Sequence, residues 1–549
     1  MRKMLLLLAA ALIAGSAWAS PQAIRFAARG NAPHVVSAAR KTPAKAPARV
    51  AGVDAVTATP EGVLHDNMSL SANALYPRGF EIYQRFADGK VSAIVEGTDG
   101  CLYVKDPVSV FPQGSWLKLT PAGGNSYVAK LPQSASAEIE YEGETYRINY
   151  DRLDFDEDEG YYYPSFGQSE LTFEYKDGVL RATGDLAGDE DMAVMLGLTF
   201  DNVGPDEKDD AWVWYGVNCI TVAPVTDTPA ALPAGLSHAR KILVSEGAAD
   251  VAVSYAADGT DAYLSLPGFS SFIRGSIAGG KATFPSGQYL GVSGGAHCYF
   301  AGSKIELIVD EEEGEYYEKI TRLDNLTFDY LPSDGIILST TDAILVNEGT
   351  GSVYGQSVYK APLVKDYSPN AGKPQTPSFV RYDEYDDFDE YGVIVVDLPA
   401  QTVSGAEISG VDLHYNIILK EGRTAYTFAS DLYEMLADDL TDVPFGYDND
   451  YDFEADGSRH TIVIYEPLGT VVGVQTVNTA AGETHRSDIA WSDGTFSAGI
   501  ANIEAPAGVG EGAMFDLSGR PAEGSAPGFY IQAVRTTDGN IVMKKVIKK

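Results

Sequence analysis

The chain has 549 residues, 45% of them hydrophobic and 11% aromatic, which excludes a disordered polymer and exceeds what one hydrophobic core supports. Its net charge of −37 sets up a negative field that repels nucleic acid phosphates and anionic membrane surfaces, so nucleic acid is excluded as a partner. Its three cysteines, Cys101, Cys219 and Cys298, are too few for disulfides to be the main source of stability, and no two lie at a metal-ligand spacing.

Residues 1–19 read as a signal peptide. Arg2 and Lys3 precede an apolar run from Met4 to Ile13 that is too short to span a bilayer, and Ala17-Trp18-Ala19 offers small residues for cleavage. No later segment is long and apolar enough to hold the chain in a membrane after the signal is removed. Residues 20–60, rich in Ala, Pro, Lys and Arg, read as a flexible basic leader with no core of its own.

From about Phe80 the pattern changes to period two. KVSAIVEG, CLYVKD, SWLKLTP and LTFEYKDGVLRAT alternate apolar and polar side chains between Gly, Pro, Asn and Asp, the mark of strands with one buried face. Glu142-Gly143 and Asp177-Gly178 are hairpin turns. Trp116, Trp212 and Trp214 lie on such strands, where a core position outweighs an exposed sugar-stacking one. Cys101 and Cys219 fall at opposite ends of this stretch and could pair if its first and last strands adjoin.

The landmarks then recur about 155 residues later. TDGCLYV, QGSW, KLPQ, DEDEGYYY and LTFEYKDGVL are answered by GTDAYL, RGSI, TFPSGQ, DEEEGEYY and LTFDYLPSDGII, with Leu171-Thr172-Phe173 and Leu326-Thr327-Phe328 as the clearest anchors. A period this long makes each copy a whole domain with its own core. The copies are placed at 61–225 and 238–360, with a joint from Thr226 to Gly235. DLAGDEDMAVMLGLTFDNVGPDEKDD in the first is reduced to TTDAILVNEG in the second. The fold class is therefore all-β, two homologous antiparallel domains, and sandwich and barrel stay open because both give the same alternation.

Residues 379–491 form a third domain, with strands at Tyr391–Leu398, Val411–Leu419, Thr461–Tyr465 and Val471–Thr476. Between them Ser430 is placed to cap a short helix bearing Leu432, Met435, Leu436 and Leu440 on one side. GVIVVDLP, LHYNI and VVGVQTVNTAAGETHRSDI resemble a fibronectin type III-like β-sandwich of secreted Bacteroidetes repeat proteins. The inserted LADDLTDVPFGYDNDYDF departs from that pattern. The resemblance implies an adaptor or spacer without an active site. Residues 504–549, with MFDLSGR, APGFYIQAV and TDGNIVMKKVIKK, resemble the C-terminal sorting domain of type IX secretion substrates. Bottom-up they read as a small β-sheet, and the resemblance implies the secretion machinery as a partner. An extracellular or outer-surface destination follows, with the periplasm as the alternative.

The dense polar constellations are acidic: Asp154 to Glu159, Asp310 to Glu313, Asp383 to Glu390, and Asp448, Asn449, Asp450 and Asp452. Hard cations take six to eight oxygens, which such loops can supply, so no cofactor is expected other than calcium at Asp448, Asp450 and Asp452. The spacing is not that of an EF-hand, since Phe453 stands at the glycine position and Arg459 at the closing Glu. Solvated turns are the plainer explanation. No catalytic motif, phosphate loop or dinucleotide fingerprint occurs, and His297 beside Cys298 reads as a buried strand end. The expected function is thus a non-enzymatic surface or secreted protein that binds extracellular glycan or protein, or forms part of a surface layer. A glycoside hydrolase using paired carboxylates near Tyr161–Tyr163 or Tyr316 and Tyr317 is the alternative.

Overall fold

A computed structural model describes residues 55–497 apart from short internal stretches, of which 201–214 is the longest, and in the tail 514–515, 528–535 and 541–548. The signal segment, most of the leader, Trp212, Trp214 and Asp450 lie outside the described residues. The described chain is nearly all β, with no α-helix, and it divides into two compact units near Ser368 and Pro369.

In the first copy the strands are β1 (Gly62–Arg78), β2 (Glu81–Gly97), β3 (Leu102–Lys105), β4 (Trp116–Gly123), β5 (Ser126–Leu131), β6 (Gln133–Ser134), β7 (Ile139–Tyr141), β8 (Glu144–Tyr146), β9 (Ile148–Asp156), β10 (Tyr161–Pro164), β11 (Ser169–Lys176), β12 (Val179–Thr183), β13 (Val194–Phe200) and β14 (Gly216–Pro224). Antiparallel pairing runs β1-β2-β3-β4-β5-β11-β12-β14 and returns from β14 to β1, an eight-stranded closed barrel. β9 and β13 form a side sheet that joins the barrel at β14, with β6 and β10 on β9. Asp177 and Gly178 both take positive φ in the two-residue turn from β11 to β12, as the dipeptide requires.

The second copy repeats this connection for connection. Its strands are β15 (Ala239–Glu246), β16 (Ala248–Ala257), β17 (Asp261–Ser265), β18 (Phe272–Ala278), β19 (Lys281–Pro285), β20 (Gln288–Ser293), β21 (Ala296–Asp310), β22 (Glu315–Leu323), β23 (Asn325–Tyr330), β24 (Ile336–Ser339), β25 (Ala343–Glu348) and β26 (Gly355–Asp366). The ring is β15-β16-β17-β18-β19-β23-β24-β26-β15, and β21 and β25 make the side sheet. Closure leaves no free edge in either ring, which decides between barrel and sandwich for these two copies.

Each ring is filled by its own side chains, as the bore of an eight-stranded barrel allows. Leu70, Ile94, Leu117, Leu171 and Phe173 belong to the first core, and Leu264, Phe284, Phe300, Leu326 and Phe328 to the second. The recurring Leu-Thr-Phe is therefore the same inward, outward, inward triplet of β11 and β23. Phe284 meets Phe300 and Phe328 edge-on, at 6.4 and 5.7 Å between centroids.

One strand in each copy serves two sheets. β14 pairs β13 through Gly216 and Val217 and β12 through Thr221 and Val222; β26 does the same with β25 and β24. Between the two partners sits a β-bulge, and at it Cys219 (φ +53°) and Ala361 (φ +43°) occupy equivalent left-handed positions. The bend that a bulge introduces lets one strand leave the ring while staying paired to β1 or β15.

The barrels meet side by side at a small joint. Lys90 pairs with Ala296, the Val91 amide donates to the Gly295 carbonyl at 2.9 Å, and Lys90 Nζ lies 2.7 Å from Glu348 in a largely covered ion pair. His297 is buried and lowered in pKa by that burial. Its Nε2–H donates to the Met68 carbonyl of the other barrel at 3.0 Å, and its Nδ1 takes the Tyr289 hydroxyl at 2.8 Å. Gly89 and Gly349 allow this approach: a Cβ on Gly89 would stand 2.2 Å from the Gly349 nitrogen.

The end of the leader is not free. The Val56 carbonyl accepts the Trp116 amide at 2.9 Å, and Val56 packs on an outer cluster of Ala93, Val95, Cys101, Tyr103 and Trp116. Trp116 thus faces outward from the barrel yet is covered. None of the three cysteines forms a disulfide, so Cys101 and Cys219 do not pair.

In the second unit β27 (Ser378–Asp386), β28 (Tyr391–Asp397), β31 (Phe453–Asp456) and β32 (Arg459–Ile464) form one sheet. β29 (Leu413–Leu419), β30 (Val443–Pro444), β33 (Val472–Ala480), β34 (Glu483–Arg486), β35 (Ile489–Trp491) and β36 (Phe496–Ser497) form another. The buried His460 on β32 meets the Tyr415 ring of β29 edge-on at 5.4 Å. The helix expected after Ser430 is absent among the described residues. Ser430 bonds Asp439 at 3.0 Å instead, Phe428 bridges Leu440, and Leu432 and Met435 are exposed while Tyr433 is buried. What remains there is a single turn, in which the Tyr433 amide donates to the Ala429 carbonyl at 3.0 Å, and so short a turn is costly to extend into a helix. The tail holds β37 (Met514–Phe515), β38 (Gly528–Arg535) and β39 (Ile541–Lys548) in a three-stranded antiparallel sheet.

Candidate functional site

Of the acidic clusters, the one at Asp448 to Asp452 is a locally satisfied turn where it is described. Asn449 Oδ1 accepts the Tyr451 and Asp452 amides, at 3.1 and 2.8 Å, and its Nδ2 donates to Asp452 at 3.2 Å. Asp448 and Asp452 are therefore in a turn whose oxygens are partly engaged, and Asp450 lies outside the described residues. Among the described residues, no group of three or more His, Cys, Asp and Glu is placed to hold a metal ion. In the first copy Asp151 is buried and its carboxyl is pushed up to about 7 by that burial, against the Arg152 amide and the Thr199 hydroxyl. Asp154, three residues on, projects from the opposite face of β9 and is engaged by Arg152 at 2.9 Å and by Ser165. These two carboxylates do not face one another.

The site that stands out is the rim of the second barrel. The two copies can be superposed in register through their shared bulges, so each rim position has a counterpart. Ile94 pairs with Val104 as Tyr255 pairs with Leu264, and Glu96 pairs with Leu102 as Ala257 pairs with Ala262. Period two puts Ile94 and Tyr255 inward, and so Glu96 and Ala257 inward at the rim.

In the first barrel Glu96 stands at that rim, about half exposed. Its Oε1 accepts the Tyr175 hydroxyl at 2.8 Å and meets His65 Nε2 at 3.1 Å. Burial, followed by the Glu96 carboxylate, holds the Tyr175 hydroxyl well above its ordinary pKa.

In the second barrel the tyrosine is kept, and both the acid and the histidine are gone from the matching positions. Tyr330 occupies the place of Tyr175, Ala239 stands opposite Tyr255 as His65 stands opposite Ile94, and His238, one residue earlier, lies 5.8 Å from the Phe272 ring. With only a methyl group at Ala257, a recess of about 380 Å³ opens, lined by His238, Lys241, Tyr255, Ala257, Ile337 and Asp366 among others. Tyr255 is 8% exposed, and its buried hydroxyl has Tyr330 as its polar neighbour. Burial, and then the neighbouring Tyr330, push its pKa up. Lys241 pairs with Asp366 at 2.5 Å on the recess wall.

Sequence reasoning missed this site because its residues come from β15, β16, β24 and β26 and the segments beside them. The signal was there in the repeat itself, as a Glu-to-Ala difference between two otherwise matched strand ends. No protein-family profile matches the chain, and no curated protein does either.

Proposed function

We propose that this chain is an exported, non-enzymatic binding protein of the cell surface or extracellular space that engages a glycan at the rim of its second barrel. The observation that carries this reading is the recess at the rim of the second barrel, where Ala257 stands at the position that Glu96 holds in the first. With both bores filled by side chains, contact with another molecule falls to rims and outer faces. A recess of this volume, with aromatic, apolar and a few polar groups, suits one or two sugar rings. The signal segment carries the chain out, the type III-like region acts as a spacer, and the tail is the handle for the secretion machinery.

A glycan array probed with the mature protein and with Ala257→Glu tests the reading. Binding by the parent that is lost in the variant, with an unchanged melting temperature, is the expected result. Equal binding by both proteins would place the contact elsewhere.

A further inference from the structure

The second barrel carries another recess beside the one at its rim. It has a volume of about 480 Å³ and is bounded by the joint at Pro229 to Leu232, by the loop before β18 and by the end of β20. Phe269, Phe272, Leu290 and Val292 give it an apolar wall, with Val292 54% exposed, and no charged side chain lines it among the described residues. The backbone holds the joint in place there, since the Phe272 amide donates to the Ala230 carbonyl at 3.2 Å. The same segment then runs on to the rim, where Ser237 and His238 line the first recess. His238 is exposed and Phe272 half-buried, and the two recesses adjoin at this pair, whose ring centroids lie 5.8 Å apart. In the first recess Lys241 and Asp366 neutralise each other at 2.5 Å. Within a chain of net charge −37, the two recesses thus share a surface with no uncompensated Lys, Arg, Asp or Glu among the described residues that line them.

Resting on the glycan reading above, we infer that the two recesses are subsites of one site for a linear, uncharged glycan, whose chain crosses from the rim over the His238 and Phe272 rings into the recess beside Val292. A sugar ring has an apolar face and a hydroxyl edge, so it lies on the ring pair at the crossing and on the apolar wall at the far end. The exposed Ser270 offers a hydroxyl there, while Ser271 is engaged by the Leu290 carbonyl at 2.5 Å. An anionic chain finds no free cation in either recess and meets the negative field of the whole protein. With one or two rings in each recess, about three or four rings fill the site.

The test is calorimetric titration of the full mature chain with cello-, manno- and xylo-oligosaccharides of graded length, and with oligogalacturonides of the same lengths as the anionic series. For at least one neutral series the affinity should rise about tenfold from disaccharide to tetrasaccharide and then level off, the scale of one added ring contact. Val292→Glu, at the exposed far wall, should bring the tetrasaccharide down to the affinity of the disaccharide while leaving disaccharide binding and the melting temperature in place. Phe272→Ala should have the same effect on length dependence, and Ala257→Glu at the rim should abolish binding at every length. A disaccharide that binds as tightly as its longer homologues, or a tetrasaccharide indifferent to Val292→Glu, overturns the inference and leaves the glycan reading standing. Tighter binding of the oligogalacturonides than of every neutral series likewise overturns it. Failure of all the series to bind overturns both.

Discussion

Gln133 and Gln288 make the same three hydrogen bonds in the two barrels. Gln133 Oε1 accepts the Lys118 amide at 2.9 Å, and its Nε2 donates to the carbonyls of Lys118 and Lys130 at 2.9 and 3.0 Å. Gln288 does so with Arg274, at 2.7 and 3.0 Å, and with Pro285 at 2.9 Å. In the second copy the reason is plain: Pro285 stands opposite Arg274 and has no N–H to give its carbonyl. The glutamine side chain supplies the missing rung between β18 and β19, and between β4 and β5.

Removing that rung leaves three backbone groups to find water at a barrel wall. Gln288→Ala is expected to lower stability by about 1–3 kcal/mol, with Gln133→Ala similar, because the bonded groups are partly covered. Chemical denaturation of each variant checks it. An unchanged midpoint for both would mean that water replaces the side chain at no cost.

The bulges make a prediction of opposite sign. Ala361 holds φ at +43° with a Cβ that disfavours it. Ala361→Gly is expected to raise stability by up to about 1 kcal/mol, since relief of the left-handed strain outweighs the added freedom of the unfolded chain. A lower melting temperature for the glycine variant would show that the alanine methyl contributes more by packing than it costs in strain.

Asp151 ties stability to pH. Its folded pKa of about 7 lies above the ordinary carboxylate value, so the folded state holds the proton longer than the unfolded one. Stability from this group is full below about pH 4 and is lost as pH rises through about 7. Asp151→Asn removes the dependence, and its advantage over the parent should grow by about 2 kcal/mol between pH 5 and pH 8. Melting temperatures of both proteins across that range measure it. Parallel curves would place the ionised carboxylate in a better-solvated setting.

Val56 and Trp116 predict a role for the end of the leader. Deleting residues before Gly62 uncovers the Trp116 ring, now 4% exposed, so its emission should shift to the red and become open to acrylamide. The difference spectrum against the same deletion carrying Trp116→Phe isolates that ring. Quenching identical to the full chain would mean another segment covers it.

Much of this could be read in advance. Period two named the strands, Asp177-Gly178 named a hairpin, and the recurrence of KLPQ as TFPSGQ marked the glutamine rung, although its purpose was invisible without knowing what lies opposite. The helix after Ser430 failed because a capping residue and a leucine stripe are local signals. Ser430 found Asp439 instead, in a loop closed by Phe428 and Leu440.

The amino-acid order by itself determined that this is a β protein built twice over, because alternation along a strand and similarity between copies are properties of neighbouring residues and of comparison within the chain. Only the tertiary structure decided that the strands close into rings, since closure depends on β14 reaching β1 and β26 reaching β15 across more than a hundred residues. It alone placed a recess at the rim of the second ring. Glu96 and Ala257 look unremarkable in their own segments, and their meaning appears when Tyr175 and Tyr330 are brought beside them by pairings that no local pattern encodes.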